Sequence, residues 1–288
     1  MENRPKDGSE RIFPGGQRME KRNTQEKIPF GERVKKALGV KGDFKTAILP
    51  MINYSWANMY LAGAGYIISM YYMVFLTDVV HLSLELAGVS IMIATLWDAI
   101  PDPIMGIITD RTRSKTGRHR RYLMWGLIPM VISYTMMWNG FGLDGKAHPG
   151  ATMAYFTITY MIYKTAYTVI GVPHTAMLPE LAPEYDLRTQ YNSMGYLFNS
   201  AGMVPSFAIT VMILSIFGCN NDINSNAKAP FLIVGLVLSL LYCIAVFLTY
   251  RSVREPSSLD MVNPPLDIKG LINEYVQVFR NKSFRQYF

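Results

Sequence analysis

Two carboxylates four residues apart stand in an otherwise apolar stretch, Trp97-Asp98-Ala99-Ile100-Pro101-Asp102-Pro103. On a helix that spacing projects both side chains from one face. Anions in an apolar, membrane-like setting are costly unless a cation or a water-filled cavity compensates them. Pro101 and Pro103 lack the backbone N–H and tend to kink a helix, freeing carbonyl oxygens beside the carboxylates. Carboxylates with freed carbonyls suit Na⁺ or H⁺. The plainer alternative is that one or both aspartates pair with Lys164 or cap a broken helix. Lys164 is the one Lys or Arg inside the long apolar segments, and it is either the counter-ion to Asp98 or Asp102 or a side chain that snorkels to an interface. Downstream, Gly106-x-x-x-Asp110-Arg111-x-x-x-Lys115-x-Gly117-Arg118-His119-Arg120-Arg121 sets an acid at a helix end against a basic cluster. Such a loop is either an ionic latch that holds one conformation or a topogenic basic loop with no gating role.

The elements that must position these groups are legible in the charge distribution. Half of the 288 residues are apolar and 17% are charged. Residues 47–250 hold 10 Lys/Arg and 10 Asp/Glu, and the much shorter ends, 1–46 and 251–288, hold the other 18 and 11. A soluble fold spreads charge over its whole surface, so this division argues against one. The apolar content excludes a disordered chain, and Cys219 and Cys243 alone exclude a disulfide scaffold. Uncharged runs at 46–77, 122–143, 189–221 and 229–250, with two more segments interrupted only by Asp98 and Asp102 or by Lys164, predict six spans. They fall near 50–76, 84–108, 121–140, 151–176, 191–217 and 230–250. Each is long enough to cross a hydrocarbon core of about 30 Å as a helix, and none alternates as barrel strands do. Gly63, Gly65 and Gly202 are expected to serve close helix packing, and Tyr122, Trp125 and Tyr250 to anchor span ends at the interface.

Orientation follows from the loops. The loop from Arg111 to Arg121 carries six Lys/Arg, whereas those at 78–85, 140–150 and 218–229 carry none, Lys146 and Lys228 respectively. The positive-inside rule therefore puts both ends and the even loops in the cytoplasm of a multi-pass inner or plasma membrane protein. The net charge of +7 lies in membrane-flanking segments, so it reports membrane topology rather than nucleic-acid binding, and the basic residues of the N-terminal tail either stay solvated or contact anionic lipid of the bilayer. Residues 1–46 read as a polar, disordered cytoplasmic tail with a short helix near 30–38, and lack the apolar core of a signal peptide. Residues 47–250 read as the six-helix bundle, and 251–288 as a cytoplasmic linker with a helix over 271–279 and the approach to a seventh span. Asn53 and Asn281 head Asn-x-Ser patterns, but topology makes neither a glycosylation site. There is no phosphate-binding loop, no H-E-x-x-H and no C-x-x-C. His81, His119, His148 and His174 are too far apart in sequence to suggest a metal cluster. An enzyme is not expected.

The run Trp97 to Arg121 resembles the glycoside–pentoside–hexuronide:cation symporters, a branch of the major facilitator superfamily. Thr77-Asp78-Val79-Val80, Tyr167-Thr168 through Val172-Pro173, Leu178-Pro179-Glu180-Leu181 and Asp186-x-Arg188-Thr189 extend the resemblance over residues 50–288. It implies an all-α membrane protein with twelve helices in two bundles, working by alternating access, of which this chain carries the N-terminal six-helix bundle and ends before the second. It implies a cation site at Asp98, Asp102 and Thr168, where Na⁺ or H⁺ acts as coupling ion and no other cofactor is needed. Pro101 stands where the family often has an Asn, so one side-chain oxygen is missing. Ala62 and Gly171 stand where a melibiose-type carrier has sugar-binding carboxylates. The expected function is cation-coupled import of a sugar or glycoside. The alternatives are a carrier of another solute, an uncoupled carrier with Lys164 in the cation's place, or a non-transporting membrane protein or partial gene product. The missing C-terminal bundle is the expected partner, and without it the chain is expected to insert but not to accumulate solute.

Overall fold

The computed structural model describes residues 44–115, 117–219, 223, 227–255 and 258. The sequence expectations for the N-terminal tail before residue 44, and for the linker helix and seventh span beyond residue 258, lie outside the described residues. Among the described residues the structure is all-α. Helix α1 (Leu49–Val74) is flanked by π-helical turns at Phe44–Ile48 and Phe75–Val79, α2 covers Leu84–Trp97 and α3 covers Pro101–Arg111. They are followed by α4 (Arg120–Met137), α5 (Pro149–Ala176), the short α6 (Leu178–Leu181), α7 (Tyr185–Ile216) and α8 (Lys228–Ser252). Taking α2 and α3 as one interrupted unit, six long helical units occupy the six apolar segments. Four segments are long and apolar enough to cross a membrane by length and composition: Lys45–Val79, Leu84–Arg111, Tyr185–Ile216 and Lys228–Ser252. The other two units differ for visible reasons. Helix α4 is only 18 residues long and opens on Arg120 and Arg121, and α5 is diluted by Thr, Tyr and Lys164.

Each long unit packs against neighbours along the chain α7–α1–α8–α4–α5, with α2 and α3 lying on α5. Small residues permit the closest approach. A Cβ on Gly202 would lie 2.3 Å from the Met59 carbonyl oxygen, and one on Gly63 would lie 2.9 Å from the Gly202 carbonyl oxygen. Only glycine lets the α1 and α7 backbones meet there, in the manner of small-residue contacts between membrane helices. Gly65 departs from the expectation: nothing among the described residues lies within 4 Å of its Cβ direction, and it borders open space rather than a packed helix.

The core is aromatic. Tyr60, Tyr72, Phe75, Tyr134, Trp138, Phe156, Tyr163, Phe231 and Tyr242 are fully buried, and Trp138 stacks on Phe231 with ring centroids 5.4 Å apart. Such rings supply large contact areas and a polar edge; the Tyr242 hydroxyl lies 2.7 Å from Ser206 Oγ. The outside is apolar in turn. Leu84, Met92 and Leu96 of α2 and Ile128 and Ile132 of α4 are all more than half exposed. Water does not tolerate an outer face of that kind over whole helices, whereas lipid does.

Candidate functional site

The interrupted second span builds the site. Helix α2 ends at Trp97, and Asp98 to Ile100 form tight turns in which the Ile100 amide donates to the Trp97 carbonyl at 3.0 Å. Helix α3 then starts with Pro101 at its first position, where a missing N–H costs nothing. The proline pair thus produces a break rather than a bend. Two hydrogen bonds fix α2 to α5 above this break. The Ser90 and Thr157 hydroxyls lie 2.8 Å apart, and Trp97 Nε1 donates to Thr165 Oγ1 at 2.9 Å.

Beside that anchor, α5 presents Lys164 and Thr168 on adjacent turns to the two aspartates. Lys164 Nζ lies 2.5 Å from Asp98 Oδ2, with side chains 20% and 28% exposed. Thr168 Oγ1 donates to Asp102 Oδ1 at 2.7 Å. The sequence left Lys164 with either aspartate or with an interface; the fold pairs it with Asp98. Asp98 Oδ1 is buried and has no hydrogen-bond partner among the described residues. Two side-chain pairs, Lys164 with Asp98 and Thr168 with Asp102, thus stand one turn of α5 apart. The formal charge of the two aspartates and the lysine is −1, which one monovalent cation would neutralise. On its other side Lys164 borders a cavity of about 170 Å³ lined by Gly65, Ser69, Tyr160, Tyr163 and Tyr167, with its ammonium 5.8 Å from the Tyr160 ring centroid.

A second cluster closes the end of the bundle where the basic loop lies. Arg118 donates to Glu180 of α6, with Nη2 to Oε1 at 2.7 Å, and sits 3.6 Å from Asp110 of α3. Glu255, after α8, accepts from the backbone amides of His119 and Arg120, both at 3.0 Å, and lies 2.5 Å from His119 Nδ1. Gly117 has φ +93, and a Cβ there would fall 2.1 Å from Glu255 Oε2, so the loop needs glycine for both conformation and space. Burial and the adjoining Glu255 carboxyl raise the Glu180 pKa above the ordinary carboxylate value. Burial pushes Glu255 up as well, but the hydrogen bonds from His119 and Arg120 outweigh it and hold Glu255 below that value. Of the residues expected in a latch, Asp110, Gly117 and Arg118 meet here. Gly106 faces open space, Arg111 lies at the end of α3, and Lys115 makes no ion pair among the described residues.

Glu255, Glu180 and His119 were not singled out from sequence as site residues. Ligand atoms of all three lie within 4.8 Å of one another, so the histidine that was too isolated in sequence is not isolated in space. Spacing held no signal for this, because His119 and Glu255 are 136 positions apart.

Residues 54–288 match the MFS/sugar transport protein family. The chain belongs to that family. Within it, the likeness to glycoside–pentoside–hexuronide:cation symporters holds, and the fold is the N-terminal six-helix bundle of a major facilitator. The chain is 30% identical over 202 residues to the uncharacterized symporter sll1374 of Synechocystis, covering 69% of this chain and 36% of that protein. It is 31% identical over 150 residues to the putative glycoside/cation symporter YagG of Escherichia coli, covering 51% of this chain and 31% of that protein. It is 23% identical over 189 residues to the isoprimeverose transporter of Lactiplantibacillus pentosus, covering 66% and 38% respectively. The chain thus spans about a third of the length of these relatives. Family and apolar helices together make it a multi-pass membrane protein.

Proposed function

We propose that this MFS/sugar transport family chain carries the cation-site half of a secondary transporter that couples Na⁺ or H⁺ to movement of a sugar or glycoside by alternating access. The observation that carries the reading is the α2–α3 break, where Thr168 holds Asp102 and, one turn away, the buried Asp98 Oδ1 has no hydrogen-bond partner among the described residues. A monovalent cation arriving there satisfies that oxygen, cancels the residual charge and loosens the hold of Asp98 on Lys164. Coupling then follows if the cation-loaded and empty sites favour different arrangements of the bundle. The Asp110–Arg118–Glu180 contacts, with Glu255 beside them, suit a cytoplasmic latch that closes in one arrangement and opens in the other. Lys and Arg in the even loops support a cytoplasmic location for both ends. The relatives named as glycoside and isoprimeverose carriers support a sugar as solute. One observation favours a second reading: the Lys164 ammonium already occupies Asp98 Oδ2, as it would in an uncoupled carrier.

The test follows the fluorescence of the chain in lipid nanodiscs during titration with NaCl against choline chloride at two pH values. Trp97 adjoins the site through Thr165, so a Trp97→Phe control isolates its signal. Saturable quenching or enhancement by Na⁺ or by acid, lost in both Asp98→Asn and Asp102→Asn, is expected. A response unchanged in both variants overturns the cation site, and no response to either ion favours the uncoupled carrier. Solute coupling is read from uptake of labelled glycosides by vesicles containing the chain together with the C-terminal half of the YagG relative.

A further inference from the structure

The cluster at the basic-loop end holds two carboxylates and a histidine whose donor atoms point at one another. His119 and Glu255 have fully buried side chains, and that of Glu180 is 20% exposed. Ligand atoms of the three lie within 4.8 Å of one another, with His119 Nδ1 2.5 Å from Glu255 Oε1 and 3.9 Å from Glu180 Oε1. Two carboxylates at this depth repel unless something positive stands between them. The local cations do not cover both. Arg118 sets Nε and Nη2 on a single oxygen of Glu180, Oε1, at 2.8 and 2.7 Å, and is shared with the exposed Asp110. Arg120 and Arg121 turn to aromatic rings, 4.6 Å from the centroid of Tyr250 and 5.4 Å from that of Trp125. Arg254 lines a cavity on the side of Pro50 and Asn53.

We propose that His119, Glu180 and Glu255 form a binding site for a divalent cation of the Zn²⁺ type. The inference goes beyond the transport reading and does not depend on it. The donor set selects the class of ion. One imidazole nitrogen with two carboxylate oxygens suits Zn²⁺ and its transition-series neighbours, whereas Mg²⁺ and Ca²⁺ take oxygen ligands. The set is also pre-oriented. Glu255 Oε2 accepts the His119 and Arg120 amides, both at 3.0 Å, which turns Oε1 to the imidazole, as outer hydrogen bonds orient the ligands of metal sites. Arg118 occupies one oxygen of Glu180 and leaves the other to the ion. Around a tetrahedral Zn²⁺ with bonds of about 2.1 Å, ligand atoms stand about 3.4 Å apart. That lies between the 2.5 and 3.9 Å seen here, so rotation of side chains suffices. Three protein ligands leave the fourth position to water. The ligands come from three segments: the loop before α4, the short α6 and the chain after α8. The His119–Glu255 contact already joins two of them, and the ion adds α6.

The test uses the full chain in lipid nanodiscs, without a histidine tag, in a Cys219→Ser/Cys243→Ser background and stripped of metal by a chelator. Binding of Zn²⁺ and of Mg²⁺ is read by isothermal titration. One Zn²⁺ per chain is expected to bind and to raise the unfolding midpoint, with Mg²⁺ doing neither. Glu180→Gln and His119→Gln should each weaken Zn²⁺ binding by at least about tenfold, the loss that even an outer partner of a metal site brings. His148→Gln, at the start of α5 and so at the opposite end of the bundle, should leave it unchanged. Co²⁺ supplies a readout that needs no variant. Bound at His119 Nδ1, it should shift the resonance of the buried Nε2 proton far outside the ordinary ¹H range. Absence of Zn²⁺ binding, equal affinity for Mg²⁺, binding undiminished in both Glu180→Gln and His119→Gln, or Co²⁺ bound with no shifted imidazole proton overturns the proposal.

Discussion

Removing the Lys164 ammonium should turn a partly compensated site into one that depends far more on an outside cation. Lys164 Nζ lies 2.5 Å from Asp98 Oδ2, and about a quarter of each side chain is exposed. Two unit charges about 4 Å apart attract by roughly 4 kcal/mol at an effective dielectric of about 20. Deleting one partner of a buried pair typically costs about 3–5 kcal/mol, because the other charge is left uncompensated. Partial exposure moves this pair to the low end, about 3 kcal/mol. Lys164→Ala should therefore unfold earlier than the wild type in choline chloride. Na⁺ or H⁺ should then restore most of the loss, since a ligand at 100 times its Kd returns about 2.7 kcal/mol. Adding Asp98→Asn to Lys164→Ala removes the orphaned charge, so the double variant should be more stable than Lys164→Ala alone. A double-mutant cycle should give a coupling of about 2 kcal/mol. The assay is thermal unfolding in lipid nanodiscs, with Na⁺ or choline and at two pH values. Strict additivity in the cycle, or an identical cation response in wild type and Lys164→Ala, would refute the reasoning.

The basic-loop cluster should respond to pH with a defined sign. Glu255 titrates below the ordinary carboxylate value, so its contribution is present above the unfolded-chain value and is lost as pH falls through the folded one; hydrogen exchange of the His119 and Arg120 amides, corrected for intrinsic rates, should accelerate on acidification. Glu180 titrates above that value, so its contribution runs the opposite way and fades as pH rises, and Glu180→Gln should flatten that limb of the stability profile. Gly117→Ala must adopt φ +93 and displace the Glu255 carboxylate; a loss of at least about 1–2 kcal/mol and faster exchange at the same two amides are expected, and wild-type exchange would contradict the contact. Topology is checked by cysteines in a Cys219→Ser/Cys243→Ser background: Lys146→Cys and Lys228→Cys should react with an impermeant maleimide from outside whole cells, and Lys115→Cys only after permeabilisation.

How far the sequence reaches depends on whether a feature is local. The uncharged runs located the helical units because a membrane helix keeps charge rare along its length. Pro101 and Pro103 announced the disruption of the second span, since a proline acts on its own turn. The Asp98–Lys164 pair was visible only as a set of options, because the rotation of α5 against α2 chooses between aspartates four residues apart. The pair was decided by contacts elsewhere on those helices, such as Ser90 with Thr157. Glu255 was invisible for a stronger reason: it follows the last span, and nothing near it in sequence announces that the Gly117 turn will fold under it. Gly65 misled by its company. It is two residues from Gly63, which does pack closely, yet the two point in different directions around α1 and only one meets a neighbour.

The break at residues 98–100 makes α3 a lever. Its upper neighbour α2 is pinned to α5 through Thr157 and Thr165, whereas at the fulcrum end α3 is tied to α5 through the Asp102–Thr168 hydrogen bond. Eleven residues at 1.5 Å each give an arm of about 16 Å. A tilt of about 10° at the fulcrum swings the far end, where Asp110 sits, by about 3 Å on that arm. Asp110 faces Arg118 across 3.6 Å, so a displacement of that size is enough to make or break the contact. A change in the Asp102–Thr168 bond at one end would therefore reach the ion pairs at the other only by α3 shifting as a unit over the α5 residues against which it packs.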